Sequence, residues 1–220
     1  MDVLDLVLIG CYSIVFAMVI AIVIIRIIHR SYYPFVLLIF FAGLNEFISF
    51  LLIRVFKESN AVSSNILGFV EALFWTWQFR CWTSKGREWK RYPAAAMILG
   101  VIWIVENVFF GRIFTFSSAY AIVYSFVLVF FAIDRVNHLI VEETRNLLVN
   151  SQFLICSGVV IFYSYRIFVE SFYLFEFENS QVFLSHVFSI LAFVNLFVNL
   201  LFALATLWIP SRQKFFLPYW

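Results

Sequence analysis

Apolar residues fall in long blocks along this chain, and polar positions gather between the blocks. Seven apolar runs stand out, near residues 3–28, 35–56, 62–82, 94–110, 113–133, 152–175 and 182–209. Most reach or exceed roughly 20 residues, the length at which a helix rising about 1.5 Å per residue crosses a hydrocarbon core. A barrel strand would instead alternate over about ten residues, and no such alternation is seen. A helix also satisfies its own backbone amides where no water reaches. The pattern predicts an all-α polytopic membrane protein, a seven-transmembrane-helix bundle forming one domain over residues 1–220. The first run follows Met1 and Asp2 without a basic leader and is too long for a cleaved signal, so it is expected to stay as a helix.

The breakers agree with these limits. Pro34 and Pro93 stand at the start of the second and fourth helices, where a missing amide hydrogen costs least, and Pro210 ends the seventh. No proline falls inside a run. Gly10, Gly43, Gly68, Gly100 and Gly158 do, and close helix contact is the expected use of each.

Basic residues set the orientation. Arg26, Arg30, Arg80, Lys85, Arg87, Lys90, Arg91, Arg135, Arg145, Arg212 and Lys214 fall on one side of the folded chain, against Arg54, Lys57 and Arg112 on the other. The positive-inside rule makes the richer side cytoplasmic, with the N-terminus outside and the C-terminus in the cytoplasm of a multi-pass protein of the plasma (inner) membrane. The segment 134–150 is then a cytoplasmic amphipathic connection, with Val136, Leu139, Ile140, Leu147 and Leu148 at helical spacing among charges. It extends the fifth helix or lies on the membrane surface, where it could dock a signalling protein.

Composition narrows the function classes. Of the residues, 64% are hydrophobic, 21% aromatic and only 13% charged, so lipid is the natural solvent and little chain is left for a soluble catalytic or nucleotide-binding domain. The net charge of +2 reads as a topology signal, with no basis for binding nucleic acid. Cys11, Cys81 and Cys156 are scattered over three helices, and His29, His138 and His186 stand alone, which implies neither a disulfide framework nor a metal site. Covalent retinal is excluded, because Lys57, Lys85, Lys90 and Lys214 all lie outside the apolar runs. No cofactor is expected. Broad apolar faces on the first and fifth helices allow a homodimer, and the remaining partner is membrane lipid.

The candidate chemistry is carried by ionisable residues at membrane depth, each costing roughly 2.5 kcal/mol or more unless it faces a partner or water. These are Glu46, Glu71, Glu106, Arg166 and Glu170. Arg166 and Glu170, at i and i+4, can pair on one helix face. Alternating helix directions bring these groups and His186 to the middle or outer half of the bundle, with Asn107, Tyr120, Tyr124 and Tyr163 in reach. A polar cavity opening outward is expected, with acid in excess of base. Asn195 and Asn199, on a polar stripe with Ala192 and Thr206, are expected to pack helices together.

In its runs "LNEFISFLL", "GFVEALFWTWQF", "CSGVVIFYSY" and "SHVFSILAFVNLFVNLLFALATLWIP", the chain resembles a loose group of small bacterial seven-helix membrane proteins with no established activity. The resemblance directs attention to Glu46, Glu71, Ser157, Gly158, His186, Asn199 and Trp208, and departs from the group where Cys156 replaces an asparagine. Such proteins lie beside sensor kinases, which implies a signalling context. Three functions follow from the sequence: a receptor-like sensor acting through a cytoplasmic partner, a proton- or cation-linked transporter or channel, and an intramembrane enzyme acting on lipid with Glu71 or Glu106 as base.

Overall fold

The computed structural model describes residues 13–83, 87–142, 147–174 and 181–210. Among them are seven α-helices: α1 (Ile14–Ile24), α2 (Tyr33–Phe50), α3 (Ala61–Trp82), α4 (Arg91–Ile104), α5 (Ser118–Glu142), α6 (Ser151–Leu174) and α7 (Gln181–Leu207). Two of them continue as π-helix, α2 through Leu51–Phe56 and α4 through Val105–Phe109. Each π-turn is followed by a left-handed residue, Lys57 at φ 59° and Gly111 at φ 66°, which turns the chain back at the end of the helix.

Five stretches are long and apolar enough to cross a membrane: Arg30–Phe56, Arg91–Phe109, Ser118–Val141, Ser151–Phe172 and Ser189–Leu207. Ile14–Ile24 is a shorter apolar helix. The third expected span differs in kind. Helix α3 has 22 residues, but Asn65, Glu71, Gln78 and Arg80 dilute its hydropathy and keep it out of that set. Large apolar side chains cover the outside of the bundle, Val23, Phe109 and Phe114 each more than 70% exposed. That surface belongs in lipid rather than water, and the chain is a helical, multi-pass integral membrane protein.

Hydrogen bonds across the interfaces give the helix directions. The Phe35 amide donates to Gln78 Oε1 at one end of the α2–α3 pair, and Asn60 Nδ2 donates to Ser49 Oγ at the other, so the two run antiparallel. Helices α1 and α7 run parallel, joined by Asn199 Nδ2 donating to Ser13 Oγ at one end and the His29 amide donating to the Pro210 carbonyl at the other. Neighbours follow in the order α1, α2, α3, α5, α6, α7 and back to α1, with α4 outside against α3 and α5. This closed ring holds Glu71, Gln78 and Asn199 buried inside it.

The fifth helix runs without a break to Glu142, well into the segment 134–150. It is tied to its neighbours there by the Arg91–Asp134 ion pair and by Arg135, whose Nε and Nη2 donate to Gln152 Oε1 at 2.9 and 2.6 Å.

A candidate site: a polar cavity over an aromatic floor

A cavity of about 330 Å³ lies inside the ring, between α2, α3, α6 and α7, with Ile14 of α1 at its side. One face of each helix supplies the wall. Helix α2 gives Phe35, Leu38, Ile39, Ala42, Asn45 and Glu46; α3 gives Ser64, Leu67, Glu71 and Trp75. Helix α6 gives Phe162, Tyr163, Arg166, Val169 and Glu170; α7 gives Leu191, Asn195, Val198, Asn199 and Phe202. These spacings of three and four residues are what one face of a helix requires.

The antiparallel packing sorts this wall by height. Asn45, Glu46, Ser64 and Glu170 lie toward the end where α2 turns into α3, and Phe35, Trp75 and Phe202 toward the opposite end. The three aromatic rings touch, with centroids 5.5 Å apart for Phe35–Phe202, 6.0 Å for Phe35–Trp75 and 6.1 Å for Trp75–Phe202. Beneath them Phe79, Trp82 and Tyr32 continue the stack. The cavity is therefore polar at one end and floored by aromatic rings at the other.

Phe202 reaches this floor because Gly158 faces it. A Cβ on Gly158 would lie 2.6 Å from Phe202 Cε1, so only glycine lets α6 and the ring come this close.

Glu71 is the hub of the polar end. Its Oε2 accepts from the Tyr124 hydroxyl at 2.9 Å and from Arg166 Nη1 at 3.1 Å. Arg166 Nε lies 3.8 Å from Glu170 Oε1, and the guanidinium carbon sits 5.2 Å from the centre of the Tyr124 ring. Arg166 thus lies nearer the carboxylate of another helix than the i+4 partner on its own. Trp75 Nε1 donates to the Tyr163 hydroxyl at 2.8 Å, which fixes both rings in the wall.

The other expected site residues separate from the cavity. Glu106 and Asn107, in the π-turn after α4, do not line it. Glu106 Oε2 instead accepts the backbone amide of Tyr120 at 2.7 Å, in the first turn of α5, where a carboxylate satisfies an otherwise orphaned donor. Asn107 Oδ1 accepts from Ser117 Oγ at 2.7 Å, and Asn65 gathers the carbonyls of Arg112, Ile113 and Thr115 with one amide group. This second polar cluster shapes the turn between α4 and α5. Tyr120 packs on Tyr124 at 5.1 Å, and both stand behind Glu71 rather than in the wall. Asn195 and Asn199, expected only to pack helices, line the cavity as well, and Asn199 also ties α7 to α1. Thr206 turns back to the Phe202 carbonyl of its own helix. His186 belongs to α7, but its side chain lies outside the described residues, as does Cys11.

Asn45, Ser64, Phe162 and Phe202 are wall residues that charge at membrane depth does not single out in the sequence. The signal was present. Asn195, Val198, Asn199 and Phe202 form one helical stripe, and Asn45 adjoins Glu46. Among the described residues no group of three or more His, Cys, Asp or Glu could hold a metal ion.

No known protein family, curated protein or solved structure matches this chain.

What the arrangement can do chemically follows from its parts. It can hold a small molecule against an aromatic surface and meet a polar group on that molecule with carboxylates, an arginine and amides.

Proposed function

We propose that the protein is a ligand-binding membrane receptor of seven spans, N-terminus outside and C-terminus in the cytoplasm, that passes occupancy of its cavity to a separate cytoplasmic partner. The orientation rests on basic residues. Arg26, Arg30, Arg80, Lys90, Arg91 and Arg135 stand at the aromatic end of the bundle, and Arg54, Lys57 and Arg112 at the polar end, so the polar end faces out. The seven-span count takes α3 as a span that its neighbours make possible, since its polar side chains are met inside the ring.

The observation that carries the receptor reading is the course of α5. One unbroken helix links Tyr124, whose hydroxyl holds Glu71 of the cavity wall, to the segment around Glu142 at the cytoplasmic end. A ligand that displaces Glu71 changes the hold on Tyr124, and a continuous helix, rising roughly 1.5 Å per residue, can carry a tilt or rotation from there to its far end. Exposed Ile140 and Val141 then present the output surface.

The test uses two spin labels, one on native Cys81, which is exposed, and one on a Val141→Cys substitution, with Cys11 and Cys156 replaced. These positions report the separation of α3 and α5 at the cytoplasmic end. Tyr124→Phe is expected to shift or broaden the distance distribution in lipid nanodiscs. An unchanged distribution contradicts coupling through α5.

An excess of carboxylates over arginine in the wall favours a second reading, a proton- or cation-linked transporter. The packed aromatic floor below the cavity weighs against a through-path. The transporter reading requires pH-driven flux into proteoliposomes that Glu46→Gln or Glu71→Gln abolishes.

A further inference from the structure

Among the described residues the cavity wall carries three carboxylates, Glu46, Glu71 and Glu170, and one guanidinium, Arg166. Arg166 meets Glu71 across the ring, from α3, and Glu170 on its own helix, and Glu46 of α2 stands at the same polar end. With all four ionised, the described wall groups hold two negative charges in excess (three less one). An anionic ligand would add to that excess, and a neutral one would leave it as it stands. A cation reduces it. The low dielectric of a helix bundle in lipid makes the difference larger than it would be in water.

Shape adds a second constraint, independent of charge. The wall is polar at one end only, and the other end is closed by Phe35, Trp75 and Phe202. A hydrated inorganic ion has no use for an aromatic floor. An ammonium group with an apolar body satisfies both ends, the charge at the carboxylates and the hydrocarbon on the rings. The volume of about 330 Å³ sets the size, at the lower end of the roughly 300–1,000 Å³ of small-molecule sites. That space suits one short chain or ring and is too small for a two-chain lipid.

We propose that the cavity takes a small amphipathic ammonium ion, its charged head among Glu46, Glu71 and Glu170 and its apolar body on the floor of Phe35, Trp75 and Phe202. This proposal rests on the reading of the cavity as a ligand site, and the experiment separates the two. The full chain in phosphatidylcholine nanodiscs is unfolded by heat with octylammonium, octanoate, octanol or ethylammonium at matched concentrations. Octylammonium is expected to raise the unfolding temperature, and the other three to have little effect. Glu46→Gln is expected to weaken the octylammonium response at least tenfold in concentration. Ala42→Phe, which fills the cavity, is expected to abolish it, and Leu67→Phe replaces that variant if Ala42→Phe is itself unstable without ligand. A response to octanoate or octanol as strong as that to octylammonium, still lost in the filled variant, overturns the ammonium proposal and leaves the ligand site standing. An equal response to ethylammonium overturns the amphipathic part. A response to octylammonium that survives filling is partition into the bilayer and overturns the proposal, and no cavity-dependent response to any probe overturns both readings.

Discussion

Buried polar residues in this protein divide by what meets them. Gln78 is fully buried, and its amide accepts the Phe35 amide hydrogen at 2.8 Å and donates to the Ser31 carbonyl at 2.6 Å. It closes the first turn of α2, where Pro34 has no hydrogen to give, and so its role ends in structure. Glu71 is also buried but faces a cavity, which is the difference between a residue that holds a fold and one that can meet a ligand. Gly158 joins the two roles. Gly158→Ala must push Phe202 from its place on the cavity floor, and overpacking of this kind costs about 1–3 kcal/mol. The expected result is a lower unfolding temperature together with a weaker response to any cavity ligand, read by heating the variant with and without octylammonium. Stability and response both equal to those of the parent chain would mean that Phe202 relaxes freely. From sequence, the Arg166–Glu170 spacing was legible because both residues share a helix. The shorter Arg166–Glu71 contact was not, because it joins residues of different helices and depends on which helices are neighbours.

At the scale of elements, most helices announce themselves by apolar length, and α3 does so least. Three of its polar residues have work within the bundle: Asn65 holds the turn after α4, Glu71 meets Arg166 and Tyr124, and Gln78 closes the start of α2. On the proposed seven-span reading such a helix depends on its neighbours to cross the membrane, since charged and amide side chains are unfavourable for an isolated span. In a translocon insertion assay, Ala61–Trp82 alone is expected to insert poorly, and Tyr33–Phe56 alone to insert well. Efficient insertion of α3 by itself would remove the argument that its partners carry it. The expected cavity role of Glu106 failed for a related reason. Its depth was readable, but the start of α5, which its carboxylate satisfies, is set by the turn at 110–117 and not by apolar periodicity.

At the scale of the molecule, the ring closes because α1 and α7 run parallel and meet along their length, which brings the two ends of the chain's helical order together. That closure leaves an interior able to hold polar groups in a protein whose exterior is apolar. Alternating helix directions, deduced from the apolar runs, were enough to expect carboxylates and arginine near one another. The aromatic floor was beyond reach from sequence, since thirty phenylalanines and seven tryptophans offer no sign of which three rings converge. The central claim is that the space between Glu46, Glu71, Glu170 and Arg166 is a site for a ligand. The most direct measurement is a crystal structure grown from a lipidic mesophase after gentle extraction with native lipid. An ordered small molecule in that space, with its polar head at the carboxylates and its body on Phe35, Trp75 and Phe202, is the result expected. Side chains closed on one another with no space between them would contradict it.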